Sequence, residues 1–311
     1  MDREILVIGG TRYFGKRLIT RLLDAGHRVS VLNRGSSPAP EGVTELRADR
    51  NDERALESVL AGRTFDVVVD QVCYTPRQAA IATRVFAGRT RRYVMTSTVE
   101  VYEYEDSAVP VAEGAVDPAT VAVDLGLPWE EPEFLDAHYG EGKRQAEAVF
   151  AAGAEFPWAS VRVAHVLGGA DDFTGRLAHY AERIRAGEPI AVPPVNRPAT
   201  YVYVEEIAAF LAWAATETEF TGPVNAHSHG PLTTAEICAA ICAAIETVLG
   251  GGRTVFREVE VGEVSPFSFA RSYGMDNSRA EALGFRFSHS SEWLHKAVSE
   301  TLSAATVVQE G

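Results

Sequence analysis

The stretch Ile5-Leu-Val-Ile8-Gly-Gly-Thr-Arg-Tyr-Phe-Gly15 joins a short apolar run to a glycine-rich turn. An amphipathic pattern follows from Phe14 to Leu23, and Gly26 ends it. Residues Arg28 to Leu32 then alternate as in a second strand. This order of strand, glycine turn, helix and strand is that of a dinucleotide-binding unit, in which backbone amides at a helix N-terminus hold a pyrophosphate.

The same alternation continues along the chain. Further strands are predicted to end at Leu46 and to span 65–70, 93–96 and 158–166, with helices over 52–60, 76–87 and 137–152. Continuous apolar strands separated by helices predict an α/β fold with a Rossmann-type, doubly wound parallel sheet.

The pattern changes after Leu167. We expect residues 1–167 to form a dinucleotide-binding Rossmann domain, with a returning segment near 199–226. Residues 168–198 and 227–311 are expected to form a smaller C-terminal substrate-binding part.

Composition excludes several classes of function. The chain has 29 basic and 43 acidic side chains, a net charge of -14, which argues against a nucleic-acid partner. Three cysteines, no apolar segment before the first strand and no 18-residue apolar window predict a cytoplasmic protein without disulfides, signal segment or membrane span. His227 and His229 are too few for a metal site, so no metal is expected.

Tyr139-Gly-Glu-Gly-Lys143 carries the predicted chemistry. Residues four apart share a helix face, so the lysine ammonium is expected to stabilise the phenolate and lower the tyrosine pKa toward neutrality. Such a tyrosine exchanges a proton with a substrate hydroxyl while hydride moves to or from a nicotinamide.

These motifs resemble the short-chain dehydrogenase/reductase superfamily, in its extended and atypical branches. The extended fingerprint Gly-x-x-Gly-x-x-Gly keeps Gly9 and Gly15 here but has Arg12 in the middle place, as in a Gly-Gly-Thr-Arg subgroup. Arg12 either binds a phosphate, holds the dinucleotide farther off through its Cβ, or points to solvent.

Cofactor choice is read at the end of the second strand, where a carboxylate favours NAD. Asn33-Arg34 stands there instead, and Arg34 suits the 2'-phosphate of NADP, so we expect NADP rather than NAD. The resemblance implies that Asp49 contacts adenine, or it caps a turn. The predicted cofactor residues are Gly9, Gly10, Thr11, Arg12, Phe14, Gly15, Asn33, Arg34, Asp49, Arg50 and Lys143.

The fifth strand resembles the extended family's catalytic strand. The family's catalytic hydroxyl, which hydrogen-bonds the reacting oxygen, falls on Thr98. Glu100 matches the Thr-x-Glu register of nucleotide-sugar 4,6-dehydratases, in which the Glu is an acid/base; it is either that or a loop residue. The acidic stretch 100–141, without Lys or Arg, is either a solvated loop or a mobile cover of the site.

The ending 276–285 also resembles the extended family. The resemblance implies that Arg197 and Arg271 bind a substrate diphosphate, unless they lie on the surface.

Three hypotheses about function follow from the sequence: a sugar-nucleotide epimerase, dehydratase or reductase; a ketoreductase or dehydrogenase that acts on a non-nucleotide metabolite; and a non-catalytic relative. The partner is a small molecule such as a nucleotide sugar, and a homodimer through helices 76–87 and 137–152 is expected.

Overall fold

The computed structural model describes residues 2–36, 38–105, 107, 109–249, 254–260 and 263–309. The strands are β1 (Glu4–Ile8), β2 (Arg28–Asn33), β3 (Thr44–Arg47), β4 (Val67–Asp70), β5 (Tyr93–Thr98), β6 (Trp158–Val163), β7 (His165–Leu167), β8 (Ile190–Val192), β9 (Tyr201–Tyr203), β10 (Gly222–Ala226) and β11 (Phe256–Glu258). The helices are α1 (Tyr13–Asp24), α2 (Glu53–Val59), α3 (Pro76–Phe86), α4 (Pro132–Ala137), α5 (Tyr139–Gly153), α6 (Arg176–Ala186), α7 (Val204–Thr216), α8 (Thr234–Leu249), α9 (Ser278–Ala282) and α10 (Ser290–Gln309).

Seven parallel strands form the central sheet, in the order β10-β6-β5-β4-β1-β2-β3. Successive residues of β1 face opposite layers: Val7 packs in the apolar cluster that includes α1 and α7, and Leu6 in the one that includes α2, α3 and α5. The predicted doubly wound α/β fold is thereby confirmed. The carboxyl ends of β1, β4 and β5 meet at one edge of the sheet, where such folds bind ligands.

The strand predicted over 158–166 breaks at Ala164. Its first part, β6, pairs with β5 and β10, and the ladder ends where Ala164 N donates to Ala226 O at 3.1 Å. The second part, β7, leaves the sheet and pairs with β9, His165 opposite Tyr201. The prediction of one strand was wrong. The residues on both sides of the bend are mostly apolar, so the sequence pattern gives no sign of where the strand breaks. The bend carries His165 to the edge of the sheet where the cleft opens.

The acidic stretch 100–141 packs against the body of the protein through buried apolar residues, among them Val101 and Trp129. The buried side chain of Arg162 on β6 holds this stretch in place, because its guanidinium donates hydrogen bonds to the carbonyl oxygens of Glu113 and Val116 at 2.9 and 2.8 Å. The same guanidinium is ion-paired with buried Glu147 of α5. Several of the acidic side chains remain in solvent, among them Glu130, Glu133 and Asp136.

Candidate active site

The turn between β1 and α1 contains three positions at which any residue other than glycine would be strained or would clash with its neighbours. Gly9 and Gly10 have positive φ values of 77° and 76°, which favour glycine. A Cβ on Gly15 would lie 2.4 Å from Gln71 Oε1 and 2.5 Å from Gly10 Cα. The turn therefore brings the start of α1 against the end of β4, and its backbone amides lie at the helix N-terminus.

A cavity of about 530 Å³ opens over this turn. That volume is within the range of about 300–1,000 Å³ usual for ligand sites. Of the predicted cofactor residues, the following line it: Gly9, Gly10, Thr11, Arg12, Phe14, Asn33, Arg34, Asp49 and Arg50. Gly15 lies beneath the turn, and Lys143 lies deeper, beside Thr96.

The arginines that line the cavity differ in their exposure and in whether they already have an ion-pair partner. Arg12 and Arg34 are exposed, and within the described residues neither has an ion-pair partner. Arg50 is buried and ion-paired with Asp70, so its charge is already matched inside the protein. Asp49 accepts a hydrogen bond from Asn51 N at 2.9 Å, which is a turn contact that leaves its second oxygen free for a ligand.

The cavity fits a nicotinamide dinucleotide. Buried Gln71 lines it with an amide nitrogen that has no hydrogen-bond partner within the described residues, next to Gly10. The close glycine turn, two unpaired guanidinium groups and an unsatisfied amide donor suit a ligand that carries phosphates.

Thr98 and Tyr139 meet at the carboxyl end of β5. Thr98 ends the strand, and its side chain lies close enough to the phenol of Tyr139, the first residue of α5, to act on the pKa of that phenol by lowering it. Glycines allow this approach: a Cβ on Gly140 would lie 2.3 Å from Glu100 O, and one on Gly142 would lie 2.5 Å from Tyr74 O. The structure thus brings the two predicted catalytic hydroxyls together.

Lys143 does not act on Tyr139 as expected. Its ammonium donates to Thr96 O at 2.6 Å and lies 4.6 Å from the centre of the Tyr74 ring, against 5.8 Å for the Tyr139 ring. Burial lowers the pKa of Lys143 to about 8. Burial also raises the pKa of Tyr139, so in this arrangement desolvation outweighs any help from the lysine. The prediction of a lowered tyrosine pKa is not met.

Glu100 lies inside the cleft, partly buried, rather than in open solvent. Its carboxylate accepts a hydrogen bond from the Tyr273 hydroxyl at 3.0 Å, and Arg271 Nη2 lies 3.5 Å away. His165 Nε2 is 3.8 Å from its other oxygen. Burial raises the pKa of Glu100 above its usual value, although Tyr273 and Arg271 oppose that effect.

The two predicted substrate arginines have different surroundings. Arg271 donates to Tyr102 O at 3.0 Å and faces Glu100, so it lies in the cleft with its charge largely matched. Arg197 is exposed, and its backbone amide pairs with Phe269 O at 2.8 Å. The structure therefore brings Arg271, and not Arg197, into contact with Glu100.

Several cleft residues were missed by sequence reasoning. Gln71 follows an apolar strand directly, a position that in a parallel sheet indicates the ligand edge. His165 interrupts an apolar run, which is a weaker signal. Tyr74 and Tyr273 lie in loops and gave no sequence signal. No group of three or more potential metal ligands occurs within the described residues.

Parts of this chain are similar in sequence to known proteins. The model of the NAD dependent epimerase/dehydratase family matches residues 5–87, from β1 to the end of α3. The 2'-dehydrokanamycin reductase of Streptomyces kanamyceticus is 32% identical over 138 residues, 41% of this chain and 39% of that protein. The chloroplast stem-loop binding protein of 41 kDa b from Arabidopsis thaliana is 26% identical over 209 residues, 62% of this chain and 49% of that protein. The chain thus covers less than half the length of these curated relatives.

Solved structures share the fold over nearly the whole chain. The enzyme WbmG of Bordetella bronchiseptica, solved with NAD and UDP, has a TM-score of 0.74 at 17% identity, over 99% of this chain and 95% of its own. UDP-glucose 4-epimerase of Thermotoga maritima, solved with UDP-glucose, has a TM-score of 0.72 at 18% identity, over 98% and 99%. At these identities the likeness concerns the fold.

The match of residues 5–87 to the NAD dependent epimerase/dehydratase family and the similarity to the reductase confirm the predicted resemblance to the short-chain dehydrogenase/reductase superfamily. The prediction of an enzyme of this superfamily agrees with them. Membership of the Gly-Gly-Thr-Arg subgroup stays a prediction. Within the described residues, no helix has the length and apolar character needed to cross a membrane.

Proposed function

We propose that this protein is an NADP-dependent oxidoreductase that reduces a carbonyl carbon of a sugar-like substrate. The observation that carries the proposal is the proximity of the Thr98 and Tyr139 side chains at the end of β5, beside the cavity over the glycine turn. A reductase stands among the relatives, and UDP-glucose is bound in one structural neighbour, which supports a hydroxylated substrate.

The protonation state of Tyr139 favours reduction. Because burial raises its pKa, the phenol carries its proton at neutral pH and is ready to donate it to a carbonyl oxygen. Thr98 holds that oxygen by a second hydrogen bond. Lys143, whose pKa burial lowers to about 8, lies 5.8 Å from the centre of the Tyr139 ring, and we propose that its ammonium moves toward the phenolate once the cofactor is bound. A bound nicotinamide cofactor would supply the hydride.

Arg12 and Arg34 are the residues that we assign to the 2'-phosphate of NADP. Both line the cavity, both are exposed, and the end of β2 carries no carboxylate that would repel a phosphate. Structural neighbours were solved with NAD, so the choice of NADP is the finer part of the proposal.

The test is the absorbance of reduced nicotinamide on mixing with carbonyl substrates. We expect net consumption of NADPH by the natural chain and a loss of roughly 10²-fold or more in Tyr139→Phe, with cofactor binding retained. Tyr104→Phe is the matched control, because Tyr104 is 65% exposed and lies outside the cleft. Near-normal turnover of Tyr139→Phe would remove the catalytic assignment.

A sugar-nucleotide epimerase or dehydratase is the second candidate, which Glu100 favours because it lies in the cleft with a raised pKa. Elimination of water requires an acid/base besides Tyr139. Either enzyme would turn over substrate without net change in absorbance. In a dehydratase, Glu100→Gln would stop elimination but leave the first hydride transfer, so reduced cofactor would accumulate on the enzyme.

Assembly, domain division and location belong to the same proposal. We propose a homodimer in which α3 and α5, which pack side by side, meet those of a second copy. We assign residues 1–167, with the returning segment near 199–226, to cofactor binding, and the remainder to the substrate. A cytoplasmic location fits the three free cysteines, and the net charge of -14 argues against an RNA-binding role.

A further inference from the structure

Arg176 begins α6 at the mouth of the cleft, directly after Gly175, whose φ is 66°. Its guanidinium lies over the Phe267 ring, 5.7 Å from the ring centre. That ring in turn lies 5.7 Å from the ring of His165 and 5.2 Å from that of Tyr201. Arg176 is exposed, and within the described residues it has no ion-pair partner.

Two buried polar groups beneath this arginine also lack partners. The Tyr201 hydroxyl and His165 Nε2 have no hydrogen bond within the part of the chain that the structure describes, although these residues are only 1% and 8% exposed. Such orphaned groups are costly unless a ligand or water satisfies them. His165 is neutral, since burial lowers its pKa to about 3, so its ring nitrogen can donate one hydrogen bond.

The charge of Arg176 reaches the reacting end of the cleft. Burial dominates the pKa values of Tyr139, Tyr201 and Glu100, and in each case the charge of Arg176 acts to lower the pKa. The guanidinium of Arg176 is therefore near enough to Tyr139, Tyr201 and Glu100 for its charge to act on all three. Arg271 is less free to bind a substrate anion because it already faces Glu100 and donates to Tyr102 O.

We propose that Arg176, the Tyr201 hydroxyl and His165 Nε2 form a subsite for an anionic group of the substrate, a carboxylate or a phosphate. The guanidinium supplies the charge, and the two orphaned groups donate hydrogen bonds from below. Holding this group fixes the substrate at a second point, so that its carbonyl oxygen is directed to Tyr139 and Thr98. This subsite rests on the proposed function for its substrate, but its anion binding does not require turnover.

The test is calorimetric titration of the NADPH-saturated protein with inorganic phosphate, at constant ionic strength. Saturation with NADPH occupies the cavity of the glycine turn, so the titration reports the second site. We expect Arg176→Gln to weaken phosphate binding by about 10-fold to 100-fold, the scale of a charge-assisted hydrogen bond. Arg176→Lys should recover part of this loss, and Tyr201→Phe, which removes only a hydroxyl, should weaken binding less.

Arg185→Gln is the matched control, because Arg185 is exposed on the same helix and lies away from Phe267. The proposal is overturned if the natural chain shows no saturable phosphate binding, or if Arg176→Gln and Arg185→Gln bind phosphate equally. An equal loss of NADPH affinity in Arg176→Gln would assign the guanidinium to the cofactor and also overturn it. Phosphate binding without any NADPH-dependent turnover would leave the subsite standing and remove the proposed function.

Discussion

We propose that a single side chain, that of Arg34, decides the choice between NADP and NAD. If its free guanidinium binds the 2'-phosphate, Arg34→Ala should weaken NADPH binding by about 10-fold to 100-fold and leave NADH binding nearly unchanged. Fluorescence titration with both cofactors measures the two affinities. Equal losses for NADPH and NADH, or a natural preference for NADH, would show that the end of β2 does not select the phosphate.

Single residues also mark what the sequence predicts well. Gly9, Gly10 and Gly15 were assigned to a turn from their spacing, and the structure requires glycine at each. Thr98 was assigned from the resemblance of the fifth strand, and Tyr139 from the Tyr-x-x-x-Lys motif. The pKa of Tyr139 could not be predicted in the same way, because it depends on burial, and burial is created by loops such as the one that carries Tyr74.

Arg162 holds three elements together: β6, α5 and the acidic stretch 100–141. Replacing it by Ala would leave Glu147 buried without a partner, which should cost about 3–5 kcal/mol in the free energy of unfolding. Urea denaturation measures this loss. The double variant Arg162→Met with Glu147→Met should recover much of it, because an apolar pair leaves no buried charge. A loss below about 1 kcal/mol in Arg162→Ala would mean that the ion pair is dispensable.

Element boundaries show where sequence patterns stop being informative. The order of strands and helices follows from apolar periodicity, and β5 differs from its prediction only by two added residues, Ser97 and Thr98. The bend at Ala164 was not predictable, because the pairing of β7 with β9 depends on residues far apart in sequence. The acidic stretch likewise gains its order from Arg162, a contact that local composition does not encode.

The whole molecule should lose stability in mild acid. Burial lowers the pKa of His227 to about 4, from 6.5 in an unfolded chain. Between these pH values the unfolded state binds a proton that the folded state does not, so stability is highest above pH 6.5 and falls toward pH 4, by at most about 1.4 kcal/mol per pH unit.

His227→Gln should flatten this dependence in urea denaturation measured from pH 7 to pH 4. His295→Gln is the control, because His295 is exposed. Identical pH profiles for the natural chain and His227→Gln would show that this histidine does not contribute.

The position of β10 has a consequence for biosynthesis. This strand covers the outer edge of β6, yet it is translated only after residues 164–221 have been synthesised. At about 5–20 residues per second, the nascent chain spends several seconds with the backbone amides and carbonyls of β6 open to pairing with another chain. The length of 164–221 therefore sets how long the edge of β6 stays unpaired, and open to aggregation, during synthesis.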